Sequence, residues 1–169
     1  YEFIGFTHPV GDWGGTLGGN FVYLTTGETH ATDENGNEIA RFRNFDFSFL
    51  VCYGTKLRES LGIGVGAKVI YSYLCPSWIV RKIFPGAKGG GAGSSWAVDL
   101  SLLYKAPLTG LQLGGSLQNF GPSLTFVEGG EHDPLPRTLR LGAAYKILDS
   151  KMNKLTTAVE LTKVLVGMR

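Results

Sequence analysis

The residues best suited to chemistry in this sequence are three histidines, an acidic turn and a glycine-rich run. His132 precedes Asp133, a pair that would suit a Ser–His–Asp site, but no serine stands in the strand–turn–helix context that exposes such a nucleophile. His8, His30 and His132 all fall in predicted loops or the N-terminal tail. We therefore expect no catalytic residue, and a protein that is not an enzyme.

Two further segments resemble ligand-binding loops and fail on their details. Residues 33–37, Asp-Glu-Asn-Gly-Asn, resemble a calcium loop, but Glu38 stands where the EF-hand pattern requires glycine, and no flanking helices are predicted. Residues 86–95, GAKGGGAGSS, lack the Gly-Lys-Ser/Thr ending of a phosphate loop, and a strand follows where a helix is required. We predict a polar turn and a flexible outer loop, with no metal and no cofactor.

Composition excludes some classes of protein. The net charge is only +2 and charged residues make up 18% of the 169 residues, with no clustered basic face, which argues against nucleic-acid binding. No apolar run reaches 18 residues, so a transmembrane helix is excluded, whereas transmembrane strands remain possible because their pattern is alternation. The chain starts at Tyr1 with no visible signal peptide, and we expect its true N-terminus to be missing.

Alternation of bulky and small or polar residues positions everything else. It predicts seven strands and no helix, because no segment has a period of 3.6. The strands are expected at residues 16–27, 45–53, 61–74, 95–104, 111–118, 138–147 and 155–162. Long connections at 28–39, 75–93 and 127–136 alternate with short ones at 55–60, 105–110 and 149–153. This rhythm is typical of an all-β, antiparallel, up-and-down transmembrane barrel with long outer loops and short periplasmic turns.

The barrel fold also predicts which face of the sheet the glycines occupy. If the bulky residues of 61–74 face lipid, Gly62, Gly64 and Gly66 face the lumen, where glycine lets a neighbouring segment approach closely. Lys68, Asp99 and Arg140 would also face the lumen and avoid the cost of a charge in lipid. Aromatic residues near strand ends would form girdles at the two interfaces: Tyr53, Tyr71, Tyr73, Trp96, Tyr104, Phe126 and Tyr145.

Seven strands cannot close a bacterial barrel, whose strand number is even. We therefore expect residues 1–169 to be a partial barrel domain, about half of a larger one, without its N-terminal segment and C-terminal strands. Cys52 should lie opposite about Gly64, and Cys75 should be more than about 30 Å from it at 3.3 Å per residue, so the two should stay reduced.

The longest loop carries one amphipathic segment. Its apolar residues are Ile79, Val80 and Ile83, and between them stand the residues that could contact a partner, namely Trp78, Arg81, Lys82 and Phe84. Partner binding and local packing against the barrel rim are equally compatible with the pattern.

Two motifs go beyond the general pattern of a barrel: Asn-Phe-Gly-Pro at 119–122 and Leu-Pro-Arg-Thr-Leu-Arg-Leu-Gly at 135–142. Together with the segments 23–27 and 95–104, they resemble the PorV/PorQ family of the Bacteroidetes type IX secretion system. Independently of this resemblance, four residues are of types that are typical of a strand end and a bend: Asn119, Gly121, Pro122 and Pro136. Gly142 is the last residue of the second motif.

The resemblance implies a FadL-like barrel of the outer membrane of a Gram-negative, Bacteroidetes-like cell. It further implies that the protein receives cargo with a C-terminal signal domain from the translocon and shuttles it to surface attachment. The implied partners are the translocon, the cargo signal domains and outer-membrane lipid. Two alternatives stay open: a FadL-like transporter of hydrophobic small molecules, and a lipopolysaccharide O-deacylase.

Overall fold

A computed structural model describes residues 1–11, 14–33, 35–83, 86, 89–127 and 132–165. The described chain forms eight strands and one short helix. Their bounds are β1 Glu2–Val10, β2 Gly15–Thr32, β3 Glu38–Arg58, β4 Leu61–Tyr73, α1 Ser77–Ile83, β5 Ala92–Lys105, β6 Leu111–Phe120, β7 Thr138–Asp149 and β8 Lys154–Val164. The strands lie in one curled sheet in chain order, and each pairs antiparallel with the next. The predicted all-β up-and-down fold is confirmed.

Two details of the sequence prediction are wrong. The described chain has eight strands where about seven were expected, because residues 2–10 form β1 instead of a tail and carry His8. It also has a helix, α1, in the connection where none was expected. α1 has only seven residues, which are too few to show a period of 3.6 residues, so the periodicity of the sequence could not reveal it. This helix is neither long nor apolar enough to cross a membrane.

The strands are long for a soluble sheet. β2 has 18 residues and β3 has 21, and β4, β5, β7 and β8 have between 11 and 14. A tilted strand needs about 9–11 residues to cross a bilayer. Part of the predicted long loop 28–39 is therefore strand, since β2 runs to Thr32 and β3 starts at Glu38, which also places His30 in β2.

The connections still differ at the two ends of the sheet. Residues 11–14, 59–60, 106–110 and 150–153 form the short-turn rim, whereas 33–37, 74–91 and 121–137 form the long-loop rim. At the long-loop rim, the β2–β3 connection is short, but its two strands extend past β4, whose last ladder partner is Phe45 opposite Tyr73. The hairpin 28–43 consequently stands above the neighbouring strand.

The sheet has two unlike faces. On one, which we call the bulky face, Val65 is 48% exposed and Val69, Leu100 and Trp96 are more than half exposed, so no second layer of the described chain covers them. The other, the glycine face, carries Gly62, Gly64, Gly66 and Lys68 on β4 and Ala97, Asp99 and Ser101 on β5. Only four apolar residues of the described chain are buried: Ile79, Val80, Ala97 and Leu135. Such a sheet has no core of the kind that holds a soluble sandwich together.

Aromatic rings pack together on the bulky face near the long-loop rim. Phe45 lies 5.2 Å from Tyr73 and Phe47 lies 5.2 Å from Tyr71, measured between ring centroids. At the opposite end, Tyr104 pairs with Leu61 and Tyr145 with Leu111, next to the short turns. The aromatic residues thus lie toward both ends of the strands.

Candidate functional site

The most completely bonded group of polar side chains lies on the glycine face, where β4, β5 and β6 meet. Lys68 Nζ is 2.7 Å from Asp99 Oδ2 and donates a hydrogen bond to Asn119 Oδ1 at 2.8 Å. The backbone N–H of Asn119 donates to Asp99 Oδ1 at 2.8 Å. The Lys68 and Asp99 side chains are only 14% and 18% exposed. We call Lys68, Asp99 and Asn119 the polar triad.

Asn119 has a backbone conformation that explains its residue type. Its φ is 62°, and it is the only non-glycine residue with positive φ in the part of the chain that the structure describes. Asparagine tolerates the left-handed region better than most residues. The turn ends β6 at Phe120 and directs the chain across β5, whose ladder with β6 carries an irregularity between Val98 and Leu100.

The segment after β6 packs closely on the upper part of β5. A Cβ atom on Gly121 would lie 1.9 Å from the carbonyl oxygen of Trp96, so only glycine fits there. Ser95 Oγ donates to the carbonyl of Pro122 at 2.8 Å. The same segment passes over Gly93, where a Cβ would come within 3.1 Å of the Thr125 carbonyl oxygen.

The second proline motif closes this bend. The Asn119 side-chain amide donates to the Pro136 carbonyl at 2.9 Å, which Thr138 Oγ1 also reaches at 2.8 Å. The Arg137 guanidinium lies 5.1 Å from the centre of the Phe120 ring. Both ends of the β6–β7 connection are thus tied to the polar triad.

Most of the residues predicted to face the lumen or to form the bend motif lie together in the structure, and two of them lie apart. Lys68, Asp99 and Asn119 form one network with the Pro136 carbonyl, and Gly121 and Pro122 follow directly in the same bend. Arg140 instead faces Glu160 across β7 and β8 at 3.7 Å, and both side chains are about half exposed. Gly142 lies inside β7 opposite Gly114 and takes no part in the bend.

The long-loop rim presents a second candidate surface on α1. Trp78 is 46% exposed and Arg81 and Lys82 are exposed, whereas Ile79 and Val80 are buried. The fourth predicted contact residue, Phe84, lies outside the described residues, as does the side chain of Ile83.

The polar turn at 33–37 is held by Asp33. Its carboxylate accepts the backbone N–H groups of Asn35 and Asn37 at 2.9 and 2.8 Å and the side-chain amide of Asn37 at 3.1 Å. These bonds from Asn37, and to a smaller extent the charge of Lys82 on α1, lower the pKa of Asp33. The turn is therefore closed by its own amides, as an Asx turn is.

Sequence reasoning missed the charged cluster on the hairpin 28–43. Glu38 bonds both Arg41 and His30, and the His30 ring is 2.8 Å from Glu38 Oε2 and 3.7 Å from Glu28 Oε1. Glu28 and His30 stand before the turn at 33–37, and Glu38 and Arg41 stand after it. These charged residues could have indicated a charged hairpin if the segment had been recognised as strand. Within the described residues, no cluster of three or more potential ligands suits a metal ion.

The remaining candidates have ordinary surroundings. His132 Nδ1 lies 2.7 Å from Thr125 Oγ1, and the structure shows no serine bonded to its ring among the described residues. Cys52 and Cys75 are both free, as predicted. Cys52 pairs with Gly66 and not with Gly64, because β3 continues to Arg58 and the turn is shorter than expected. Burial raises the pKa of the Cys75 thiol.

The glycine face also holds a shallow groove near the short-turn rim. Its volume is about 540 Å³, and Gly54, Gly62, Gly64, Ser101 and Leu103 are among its lining residues. Glycines at these positions leave space that side chains would fill. The groove is open, and its lining offers one charged group, Lys56.

Comparisons with known proteins agree with the geometry. The family model described as "Type IX secretion system protein PorV" matches residues 12–169. Among solved structures, the toluene transporter TbuX of Ralstonia pickettii superposes with a TM-score of 0.52 at 14% sequence identity. The superposition covers 96% of this chain and 54% of TbuX, so the chain spans about half the length of that barrel. No curated protein matches the sequence. At this identity, the likeness to TbuX supports the fold alone.

Proposed function

The chain belongs to the PorV family of outer-membrane type IX secretion proteins, and we propose that its barrel receives cargo from the translocon and shuttles it to surface attachment. The cargo would be recognised by its C-terminal signal domain. The family match over residues 12–169 is the observation that supports this proposal. The protein would act as a carrier and a docking platform, without a catalytic step of its own.

In this proposal, residues 1–169 are one part of a larger barrel domain. The bulky face, with Val65 and Val69 about half exposed, meets lipid. The glycine face lines the lumen, where Lys68 and Asp99 neutralise each other and Arg140 faces Glu160. Further strands would continue the ladder at β1 and β8, since lipid does not tolerate an open sheet edge.

Protein partners would bind at the long-loop rim. The connections 74–91 and 121–137 of this rim are the longest between the strands, 74–91 contains α1, and the hairpin 28–43 extends past β4 there. The exposed residues Trp78, Arg81 and Lys82 are the proposed contact residues on α1. Loops carried by a rigid barrel are the usual place for recognition, because they vary without disturbing the strands.

The alternative of a FadL-like transporter of hydrophobic molecules is less well supported. TbuX is a toluene transporter, but an apolar substrate would meet the charged polar triad on the glycine face. An apolar molecule gains little binding energy from contact with an ion pair, so a channel for such molecules would be expected to have an apolar lining.

The test is affinity purification of the tagged full-length protein from outer membranes after mild cross-linking. We expect translocon subunits and cargo signal domains to be recovered. An epitope inserted after Gly86 in the long-loop rim should reduce cargo recovery, whereas the same insertion after Lys151 in the short-turn rim should not. Recovery of no secretion component, together with a hydrophobic molecule retained in the lumen, would instead favour the transporter.

A further inference from the structure

The upper part of the glycine face on β5 is covered by another segment of the chain. Ser95 and Ala97 pair with Ile70 and Lys68, so their side chains belong to the glycine face. They are only 8% and 1% exposed, although Ser101, further down the same face of β5, is exposed. The cover therefore lies near the long-loop rim and ends before it reaches the short-turn rim.

The covering segment is the β6–β7 connection. Ser95 Oγ donates a hydrogen bond to the carbonyl of Pro122 at 2.8 Å. Gly93 stands two residues before Ser95 in the strand and so has the same face. A Cβ on Gly93 would lie 3.1 Å from the Thr125 carbonyl oxygen and 3.2 Å from the Phe126 ring. The first part of the connection consequently lies on the glycine face.

The chain then turns and comes back beside itself. Leu124 and Asp133 exchange both backbone hydrogen bonds at 2.8 Å, as opposite residues of an antiparallel pair do. Leu135, near the end of the connection, is only 3% exposed. We call residues 121–127 and 132–137 the inner hairpin.

The inner hairpin reaches below the level of the aromatic residues near the long-loop rim. On β4, Tyr71 pairs with Ser94, and aromatic girdles mark the two membrane interfaces of such barrels. A Cβ on Gly121 would overlap the carbonyl oxygen of Trp96, and Trp96 pairs with Val69, which is two residues below Tyr71. The hairpin therefore enters the height at which the sheet is surrounded by membrane.

Hydrogen bonds fix the base of the inner hairpin to the sheet. The Asn119 side-chain amide donates to the Pro136 carbonyl at 2.9 Å, and the Arg137 guanidinium donates to the Gly121 carbonyl at 3.3 Å. Asn119 is itself held by the carboxylate of Asp99, which accepts its backbone N–H at 2.8 Å. The two ends of the connection are thus joined to each other and to the polar triad.

A hairpin in this position fills space that a large barrel would otherwise leave open. Barrels much larger than eight strands enclose an aqueous channel unless a loop or another segment plugs it, and this chain covers only 54% of the TbuX barrel. A second layer of chain on a sheet takes up about 10 Å of the interior. We infer that the inner hairpin obstructs the lumen at its outer end, so that neither ions nor cargo pass through the barrel. This inference rests on the proposed function for the direction of the glycine face, and it deepens that function by placing the cargo outside the lumen.

The first measurement is the ion conductance of the full-length protein in planar lipid bilayers. In the test variant, Gly-Gly replaces residues 125–132, because Leu124 and Asp133 already pair and can flank a two-residue turn. In the matched control, Gly-Gly replaces residues 33–37 at the tip of the hairpin 28–43, whose strands extend past β4. We expect discrete open steps from the test variant and none from the wild type or the control. Conduction by the wild type, or a test variant that stays closed, would overturn the inference.

The second measurement leaves the β6–β7 connection intact, so it does not depend on the folding of a shortened chain. Ser95→Cys and Ser101→Cys, both on the glycine face of β5, are made separately in a Cys52→Ala/Cys75→Ala background. A water-soluble maleimide should label Ser95→Cys at least about 10-fold more slowly in detergent, because the inner hairpin must first open locally. Equal labelling rates would show that the hairpin does not cover the lumen wall.

Recovery of translocon subunits from the same preparations tests the secretion role separately. A wild type that conducts ions and still recovers these subunits would overturn the obstruction of the lumen and leave the secretion role intact.

Discussion

At the scale of single residues, the polar triad is the feature with the largest energetic consequence. Lys68 and Asp99 are mostly buried, and each compensates the charge of the other. Removing one member of such a pair leaves an uncompensated charge, which costs much more than the pair contributes in total. Asn119 adds a second bond to each partner and ties the pair to the bend after β6.

We therefore predict that Lys68→Met lowers the free energy of unfolding by about 3 kcal/mol. The measurement is urea unfolding of the full-length protein in lipid vesicles. The control is Lys146→Met, whose ion pair with Asp149 at 3.2 Å is about half exposed, so its loss should cost less than about 1 kcal/mol. Equal stability of the two variants would show that the triad does not stabilise the sheet. The double variant Lys68→Met/Asp99→Leu should recover part of the loss, because it removes the isolated charge.

At the scale of elements, the end of β6 determines how the sheet continues toward the long-loop rim. The β5–β6 ladder stops at Val98 and Phe120, and the segment from Gly121 onward takes over beside Gly93 and Ser95. This close approach of one backbone to another explains a glycine at 121 better than a positive φ would, since Gly121 has none.

Gly121→Ala should accordingly destabilise the protein by about 1–3 kcal/mol, because the added methyl group would overlap the Trp96 carbonyl and displace the segment. Amide hydrogen exchange should show reduced protection at 93–97 and 121–126. The matched control is Gly114→Ala in β6, where the nearest atom to the new Cβ is 3.9 Å away. Normal protection in both variants would contradict the packing argument.

Element boundaries were predicted unevenly from the sequence. All seven alternating segments are strands, since period 2 is a direct consequence of a sheet with two different faces. β1 was missed because apolar residues lie on both of its faces, for example Phe3 and Ile4, so it shows no alternation. The upper parts of β2 and β3 were missed because residues such as Glu28, His30 and Arg41 are polar, and a hairpin that extends past β4 needs no apolar face.

At the scale of the whole molecule, the bulky face must be turned toward hydrocarbon. Its side chains are exposed in the described chain, and a large exposed apolar surface indicates a membrane or a partner. The family and the barrel fold indicate that this environment is the outer membrane. Charge should then be tolerated on one face of the sheet and excluded from the other.

Val65→Lys should reduce the stability of the folded barrel in vesicles by about 2–4 kcal/mol, as a lysine near the bilayer midplane does in other barrels. Ser101→Lys is the control, because Ser101 is an exposed residue of the glycine face, paired with Gly64 next to Val65. Its effect should be below about 1 kcal/mol. The same loss at both positions, measured by urea unfolding, would show that the bulky face does not contact lipid.

The sequence by itself determined the class of the protein: alternation gave the strands, connection lengths gave their antiparallel order, and the motifs at 119–122 and 135–142 indicated the family. Only the tertiary structure showed that Lys68, Asp99 and Asn119 form one network, that Arg140 stands apart, and that the β4–β5 connection contains a helix. The reason is physical. Periodicity is a local property that each strand carries alone, whereas the meeting of three side chains more than 15 residues apart depends on ladder register and bulges, which one sequence does not encode locally.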